Sequence, residues 1–587
     1  MNYFVILILW LAASGGEAQI SCSDECVCYL DTKGRNVVDC KEGGMVGPLV
    51  LANVSTKIEV LKITAPEDNM NELTMNPVIG NFKNLEEIHI IRSNIPNLGM
   101  HFFYELHKLE VLDLSQNNIT QLLPPNFLGL NKLHELNLDD NRISSLPSET
   151  FRYLKELKVL SLQKNRIEVL SQGVFRLVVK LRVLKLNGNY IRDFHPDVFK
   201  YVKDLRVLEC RGCMLTVLNP LVHELLPHLT HLDIGENQVT WMDATSFRDL
   251  RKLKVLKLDS NQLSVIPTGV LSNHTDLKRL HLGRNSISNV EEGAFRNLVN
   301  VSELDLGYNK LERLEGDALR DTRKSLERLV LSGNKLRADD IKELLAEMSV
   351  LKDLQMAEMA LGALDEGVIP ETVAVLNLGG NQLPYLAAYV LPRDLKDLDL
   401  SRNVFRGLQD DVVKKVENVR CKLDNNPWSC DLCHITHMLA SVNRSRDFYS
   451  VRCSLPYHHR NKILGTLDRD ELSWCNAQSY SSEGANLYLS RDDGRLGIIA
   501  AAASLLLLLL TALAVLAAVF YTRRHAARYY THEERRLDEK EAIFENQSPL
   551  FGEELSFKFP LDPIDRKISI ATIDEIKKEQ RAVSNGT

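Results

Sequence analysis

Cys430 to His434 reads CDLCH, two thiols and an imidazole at the spacing that attaches a c-type haem, and His437 with Cys453 would complete a zinc tetrad. The same thiols can instead pair as disulfides. Cys430, Cys433, Cys453 and Cys475 follow the tripeptide Asn426, Pro427, Trp428, and a second group, Cys22, Cys26, Cys28 and Cys40, stands near the N-terminus. An oxidising compartment, implied by the two apolar segments described below, favours disulfides, so no metal or other cofactor is expected. Spacing alone leaves three pairings open for each set of four. Other chemistry lacks even a motif: there is no GxSxG elbow, no glycine loop followed by Lys to cradle phosphate and no HExxH. Binding, rather than catalysis, is the expectation.

The elements between the two cysteine groups repeat every 24 residues. From Leu109 the spelling LxxLxLxxNxL recurs: Leu109, Leu112, Leu114, Asn117, Ile119, then Leu133, Leu136, Leu138, Asn141, Ile143, then Leu157, Leu160, Leu162, Asn165, Ile167. The Asn column runs on through Asn189, Cys213, Asn237, Asn261, Asn285 and Asn309. Each LxL alternates as a strand must, with leucines inward and their neighbours outward. Units this small cannot bury their own apolar face, so they must stack into a solenoid with a parallel sheet on its inner arc. A second column, Phe127, Phe151, Phe175, Phe199, Phe247 and Phe295, should fill the convex layer. After Asn309 the spacing drifts to 25, 25, 22 and 22 residues through Asn334, Met359, Asn381 and Asn403, and RADDIKELLAEMSVL predicts a helix in place of the Phe-type connection, with changed curvature.

These repeats, about fourteen in number, resemble the leucine-rich repeat family, and the resemblance covers Cys22 to about Cys475. The fold class expected is α/β: a curved parallel β-sheet with an irregular or helical convex side. In that family the Asn amide satisfies backbone groups of the turn, and Cys213 is a known substitute; Ser93 and Met359 fit the column less well and predict local irregularity. The two cysteine groups resemble the caps that flank extracellular repeats. The resemblance implies Cys22 with Cys28, Cys26 with Cys40, Cys430 with Cys453 and Cys433 with Cys475, although this C-terminal cap reads CxxC where CxC is common. Cys210 and Cys421 replace inward leucines, and these two with Cys213 are expected to be buried as small apolar side chains. The segment ITAPEDN, with the short tail, is similar to invertebrate tendon-type leucine-rich membrane proteins.

The ends set the compartment. FVILILWLAA followed by small residues reads as a signal peptide over 1–18, leaving a cap at 19–57, repeats at 58–424 and a second cap at 425–475. A Ser- and Gly-rich stalk, 476–495, leads to an uncharged stretch, 496–521, which as a helix spans roughly 39 Å against a hydrocarbon core of ~30 Å. Arg523, Arg524 and Arg528 on its far side place the tail, 522–587, in the cytoplasm, a single-pass type I arrangement at the plasma membrane. Asn53, Asn118, Asn273, Asn300 and Asn443 then begin sequons on the extracellular side. A net charge of −7 over 587 residues argues against a nucleic-acid partner.

The outward strand positions form the candidate binding face: His89, Asp113, Asn137, Ser161, Lys185, Glu209, Asp233, Lys257, His281, Asp305 and Gln355, extended by Asp139, Asp140, Lys164, Arg211, Glu236, Arg279, Arg284 and Tyr308. The face is polar and mixed in sign, suited to a folded extracellular protein, with Tyr308 and Arg279 as expected anchors. Adhesion or a receptor or co-receptor role follows. A shed or self-associating matrix protein, or an innate-immune recognition receptor working through recruited partners, are the alternatives.

Overall fold

A computed structural model of the chain describes residues 26–48, 54–75 and 77–475. The chain divides into two compact units, Met1–Asn476 and Ala477–Thr587, and every described residue lies in the first. The expected signal peptide, stalk, spanning helix and tail lie outside the described residues, as do Cys22 and Asn53. Among the described residues no helix is long and apolar enough to cross a membrane.

Alternating LxL segments pair in parallel, each strand with the next repeat's, into one 18-stranded sheet whose sole antiparallel member is Val27–Leu30 against Asn36–Cys40. The register is continuous: Leu112 stands opposite Leu136, then Leu160, Leu184, Leu208 and Leu232. Each of these side chains is at most 1% exposed, and burying one contributes about 1.5–3 kcal/mol. The drifting spacings after Asn309 do not break the ladder, since Leu329 still faces Leu354 and Leu354 faces Leu376. The predicted helix is there, at Ala338–Leu345, packing Ile341, Leu344 and Leu345 inward.

The Asn side chains tie one repeat to the next. Asn165 donates to the carbonyls of Leu138, Leu162 and Gln163 at 2.9–3.1 Å and accepts the Ile143 N–H at 3.0 Å. Four otherwise buried backbone groups are satisfied by one amide. Where the column lacks Asn, the backbone changes. Ser93, Cys213 and Met359 are each flanked by two left-handed residues, Arg92 and Asn94, Gly212 and Met214, Glu358 and Ala360, whereas Asn165 has only Lys164 before it in that region. The N–H groups on both sides of that extra left-handed residue turn onto the next repeat's Asn: Ser93 and Ile95 onto Asn117, Cys213 and Leu215 onto Asn237, Met359 and Leu361 onto Asn381. The irregularity expected at Ser93 and Met359 is therefore a specific turn, and Cys213 shares it.

The convex column is buried throughout and longer than the sequence pattern suggested. Phe127 and Phe151 have ring centroids 5.8 Å apart, and Phe151 stacks on Phe175 at 6.3 Å. Phe103 begins the same register, and His223 fills the place between Phe199 and Phe247, stacking on Phe247 at 5.6 Å. Burial pushes the His223 imidazole down to about 4.

Cys26 is bonded to Cys40, Cys430 to Cys453 and Cys433 to Cys475. Cys28 is also disulfide-bonded. Trp428 closes the C-terminal end, 1% exposed, stacked on Phe405 and donating its indole N–H to the Leu423 carbonyl at 2.8 Å. The expectation for Cys210 and Cys213 needs correction: both are buried, but they are joined to each other by a disulfide, not packed as separate thiols. Their three-residue separation across the end of the strand brings the two Cα atoms to 5.4 Å, within reach of a bond. Cys421 is the free thiol among the described residues, buried where an inward leucine would stand, and burial pushes its thiol up to about 12.

Candidate functional site

The sheet register brings the outward residues into one column. His89 faces Asp113, which faces Asn137; Ser161, Lys185, Glu209, Asp233, Lys257, His281 and Asp305 follow strand by strand. The column continues through Val330, Gln355, Asn377, Asp399 and Lys422. Val330, Asn377, Asp399 and Lys422 were missed in the sequence, where the 24-residue count no longer applies. The LxL spelling at Val330, Asn377 and Asp399, and its variant Cys421-Lys422-Leu423, was the signal that could have found them.

The charges of this face are used in two ways. From Asp139 to Asp259 the side chains bind one another. Asp139 accepts from Ser161 at 2.6 Å and from Gln163, Gln163 accepts from Asn187 at 2.7 Å, and Asn187 donates to Glu209 at 3.0 Å and accepts the Arg211 backbone N–H at 2.7 Å. Arg211 then gathers three carboxylates: Asp259, Glu236 at 3.2 Å and Asp233 at 3.4 Å. Hydrogen bonding to Asp259, above all, holds the guanidinium's pKa above its ordinary value. Lys257 adds a second cation to Asp233 at 3.0 Å. A depression of about 570 Å³ is lined by Asn137, Asp139, Gln163, Lys164, Asn187 and Arg211, among others.

Lys164 and Lys185 within this stretch and Arg279 beyond it stay outside the network, whereas Arg328 pairs with Glu303 and Asp353. Arg279 is exposed at the start of its strand, and neither it nor Lys185 or Lys164 has an ion-pair partner among the described residues. Arg284 lies over the Tyr308 ring, 4.8 Å from its centroid, and Tyr308 remains 39% exposed. His281 has Glu303 at 3.6 Å. Asp305 lies half-buried between Gly283 and Gly307; burial raises its pKa and outweighs the hydrogen bond from the Gly307 N–H. Glycine at 283 and 307 leaves the floor bare, since a Cβ at either would press on the Asp305 carboxylate.

The expected anchors Arg279 and Tyr308 thus stand outside the network, while Arg211, Asp233, Glu236 and Lys257 are committed to each other. A second depression, about 700 Å³, lies off this face and is lined by Val169, Tyr190, Phe194, His195 and Met214; it contains none of the predicted residues. Of the sequon asparagines, Asn273, Asn300 and Asn443 are exposed and Asn118 is half-buried. The CDLCH segment is a cap turn: both its cysteines are in disulfides, and His434 Nδ1 sits 2.8 Å from the Asp431 carboxylate.

Residues 83–143, 131–191, 155–215, 179–239, 227–277 and 275–336 match the family model described as leucine rich repeat. A phospholipase A2 inhibitor of Gloydius brevicaudus siniticus is 29% identical over 108 residues, covering 18% of this chain and 32% of that protein. Trophoblast glycoprotein of Macaca fascicularis is 30% identical over 148 residues, covering 19% and 34%. The chain spans about a third of the length of each of these relatives. Among solved structures, that of the TLR13–ssRNA13 complex superposes with a TM-score of 0.52 at 21% identity, covering 71% of this chain and 60% of that one, a likeness of fold.

Proposed function

We propose that this leucine-rich repeat chain is a cell-surface glycoprotein whose solenoid binds an extracellular protein, in adhesion or as a receptor or co-receptor, without catalysis. The observation that carries the reading is the uncovered parallel sheet with Lys164, Lys185, Arg279 and Arg284 unspent on intramolecular ion pairs. Such a surface gives a partner orientation and encounter rate through charge complementarity, and the Tyr308 ring beside Arg284 supplies the aromatic anchor that interfaces favour. The partner's matching surface is acidic. Likeness to a phospholipase A2 inhibitor, a protein named for acting on another protein, supports the same direction. The anchoring of the solenoid to a membrane belongs to this proposal too, resting on the apolar stretch 496–521.

The test is a binding screen of the purified ectodomain, residues 19 to about 488, against cell-surface and secreted proteins, with the ectodomain itself included. Expected is a heterophilic partner whose affinity falls when Lys185, Arg279 and Arg284 are reversed to Glu. Self-association alone, or a partner indifferent to those reversals, would sink the concave-face reading.

A further inference from the structure

The Cys210–Cys213 disulfide stands at one position of the Asn column, and it replaces hydrogen bonds with a covalent bond. In a regular repeat the Asn amide reaches back to a carbonyl 27 residues earlier, as Asn189 does to Leu162 at 2.9 Å. At position 213 the corresponding atom is the Cys213 sulfur, 3.2 Å from the Leu186 carbonyl oxygen. A sulfur in a disulfide has no proton to donate there. A thiol does, so the same atom in the same place makes a weak S–H···O bond once reduced. The position therefore offers a reduced sulfur an acceptor at 3.2 Å.

Arg211 and Gly212 are enclosed between the two cysteines, and Arg211 is the residue that binds Asp233, Glu236 and Asp259 together in the middle of the face. Closing the disulfide fixes the path of four consecutive residues and so the base from which this guanidinium projects. The turn is otherwise weaker than its neighbours: it lacks the amide that in other repeats joins three carbonyls, and it holds two left-handed residues, Gly212 and Met214. A turn with fewer hydrogen bonds opens locally at lower cost than those on either side.

We propose that Cys210–Cys213 is a redox-controlled latch on the binding face, locking Arg211 among its three carboxylates when oxidised and releasing it when reduced. A dithiol reductant supplies the two electrons. Its thiolate attacks one sulfur of the bond as the turn opens, the other sulfur leaves as a thiolate and takes up a proton, and the reductant's second thiol closes its own disulfide to expel the first cysteine as a thiol. The released Arg211 leaves Glu236 and Asp259 without their cation, while Lys257 still pairs with Asp233.

Hydrogen exchange of 207–216 in the intact ectodomain, with and without dithiothreitol under native conditions, reads this directly, with alkylation and mass spectrometry reporting which cysteines were reduced. Expected are alkylation of Cys210 and Cys213 and exchange about tenfold faster in this segment. The double variant Cys210→Leu, Cys213→Asn restores the regular rung and keeps the cap disulfides; its exchange here should ignore the reductant. Cys210→Ser with Cys213→Ser should exchange fast without reductant. A pair that resists native reduction, unchanged exchange after it, equal acceleration in the Leu/Asn variant, or slow exchange in the Ser variant would each overturn the latch.

Discussion

The side-chain carbonyl of Asn237 lies 3.0 Å from the backbone nitrogen of Cys213 and also accepts the N–H of Leu215 at 2.8 Å. Its amide donates to the carbonyls of Cys210, Ile234 and Gly235. Asn165, between two regular repeats, accepts one N–H and donates to three carbonyls. Asn237→Ala therefore orphans one more buried group than Asn165→Ala, and should destabilise the ectodomain by about 1 kcal/mol more, within a total of about 3 kcal/mol or more. Paired urea denaturation of the two variants checks this; equal losses would mean the doubled acceptor contributes nothing.

His223 makes stability depend on pH. The folded imidazole titrates near 4, because burial outweighs the bond to the Ser246 carbonyl and the nearby Asp249, while His274 adds to the lowering. An unfolded chain's imidazole titrates near its ordinary value of 6.5, so between these two values the unfolded state holds a proton that the folded state lacks. Stability is whole above 6.5 and falls as pH drops toward 4, by about 2 kcal/mol at pH 5. His274, also lowered by burial, contributes in the same sense. His223→Phe extends the run of phenylalanines from Phe199 to Phe247 and should remove its share of the acid loss; thermal melts of both proteins at pH 7.5 and 5 that run parallel would refute it.

Lys257 and Arg279 look alike in the sequence as outward cations of adjacent strands, and the structure separates them. Lys257 neutralises Asp233, which is 5% exposed, whereas Arg279 stands free. Lys257→Glu should cost about 2 kcal/mol of stability by leaving a buried carboxylate beside a like charge, although Arg211 still shields it. Arg279→Glu should leave stability within about 0.5 kcal/mol and act on partner binding alone. Reversed rankings in a melting experiment would show that the two cations have been assigned the wrong roles.

The division between legible and hidden features follows from what periodicity can carry. A 24-residue repeat fixes which leucines point inward, and the register Leu112, Leu136, Leu160 follows from it. It also placed the face on which Asp113, Lys185 and Tyr308 stand. It could not say which charges on that face are free, because Arg211 meets Asp259, 48 residues away, through side-chain reach that no spacing rule records. His223 was missed because the aromatic column was read by residue type, and an imidazole fills that slot as a ring would. The Cys210–Cys213 bond was missed because each cysteine was explained separately, one as a leucine and the other as an asparagine.

Gly407 decides how the C-terminal cap sits on the last repeat. Asp431 accepts the backbone N–H groups of Cys433 at 3.0 Å and His434 at 3.1 Å, folding CDLCH into a turn. The His434 carbonyl of that turn lies directly over Gly407, so close that a Cβ there would fall inside the oxygen's van der Waals shell. Neither side can yield easily. The turn is tethered by Cys430–Cys453 and Cys433–Cys475, and Gly407 stands two residues after Phe405, whose ring is stacked on Trp428. Gly407→Ala must therefore lift the cap away from the repeats, at a cost of about 1–3 kcal/mol, and expose the Trp428 stack to water. Trp428 fluorescence should shift to longer wavelength, and residues 430–475 should lose protection from hydrogen exchange while the strands from 111 to 305 keep theirs. An alanine variant with unchanged fluorescence and cap protection would show that the close approach is not what seats the cap.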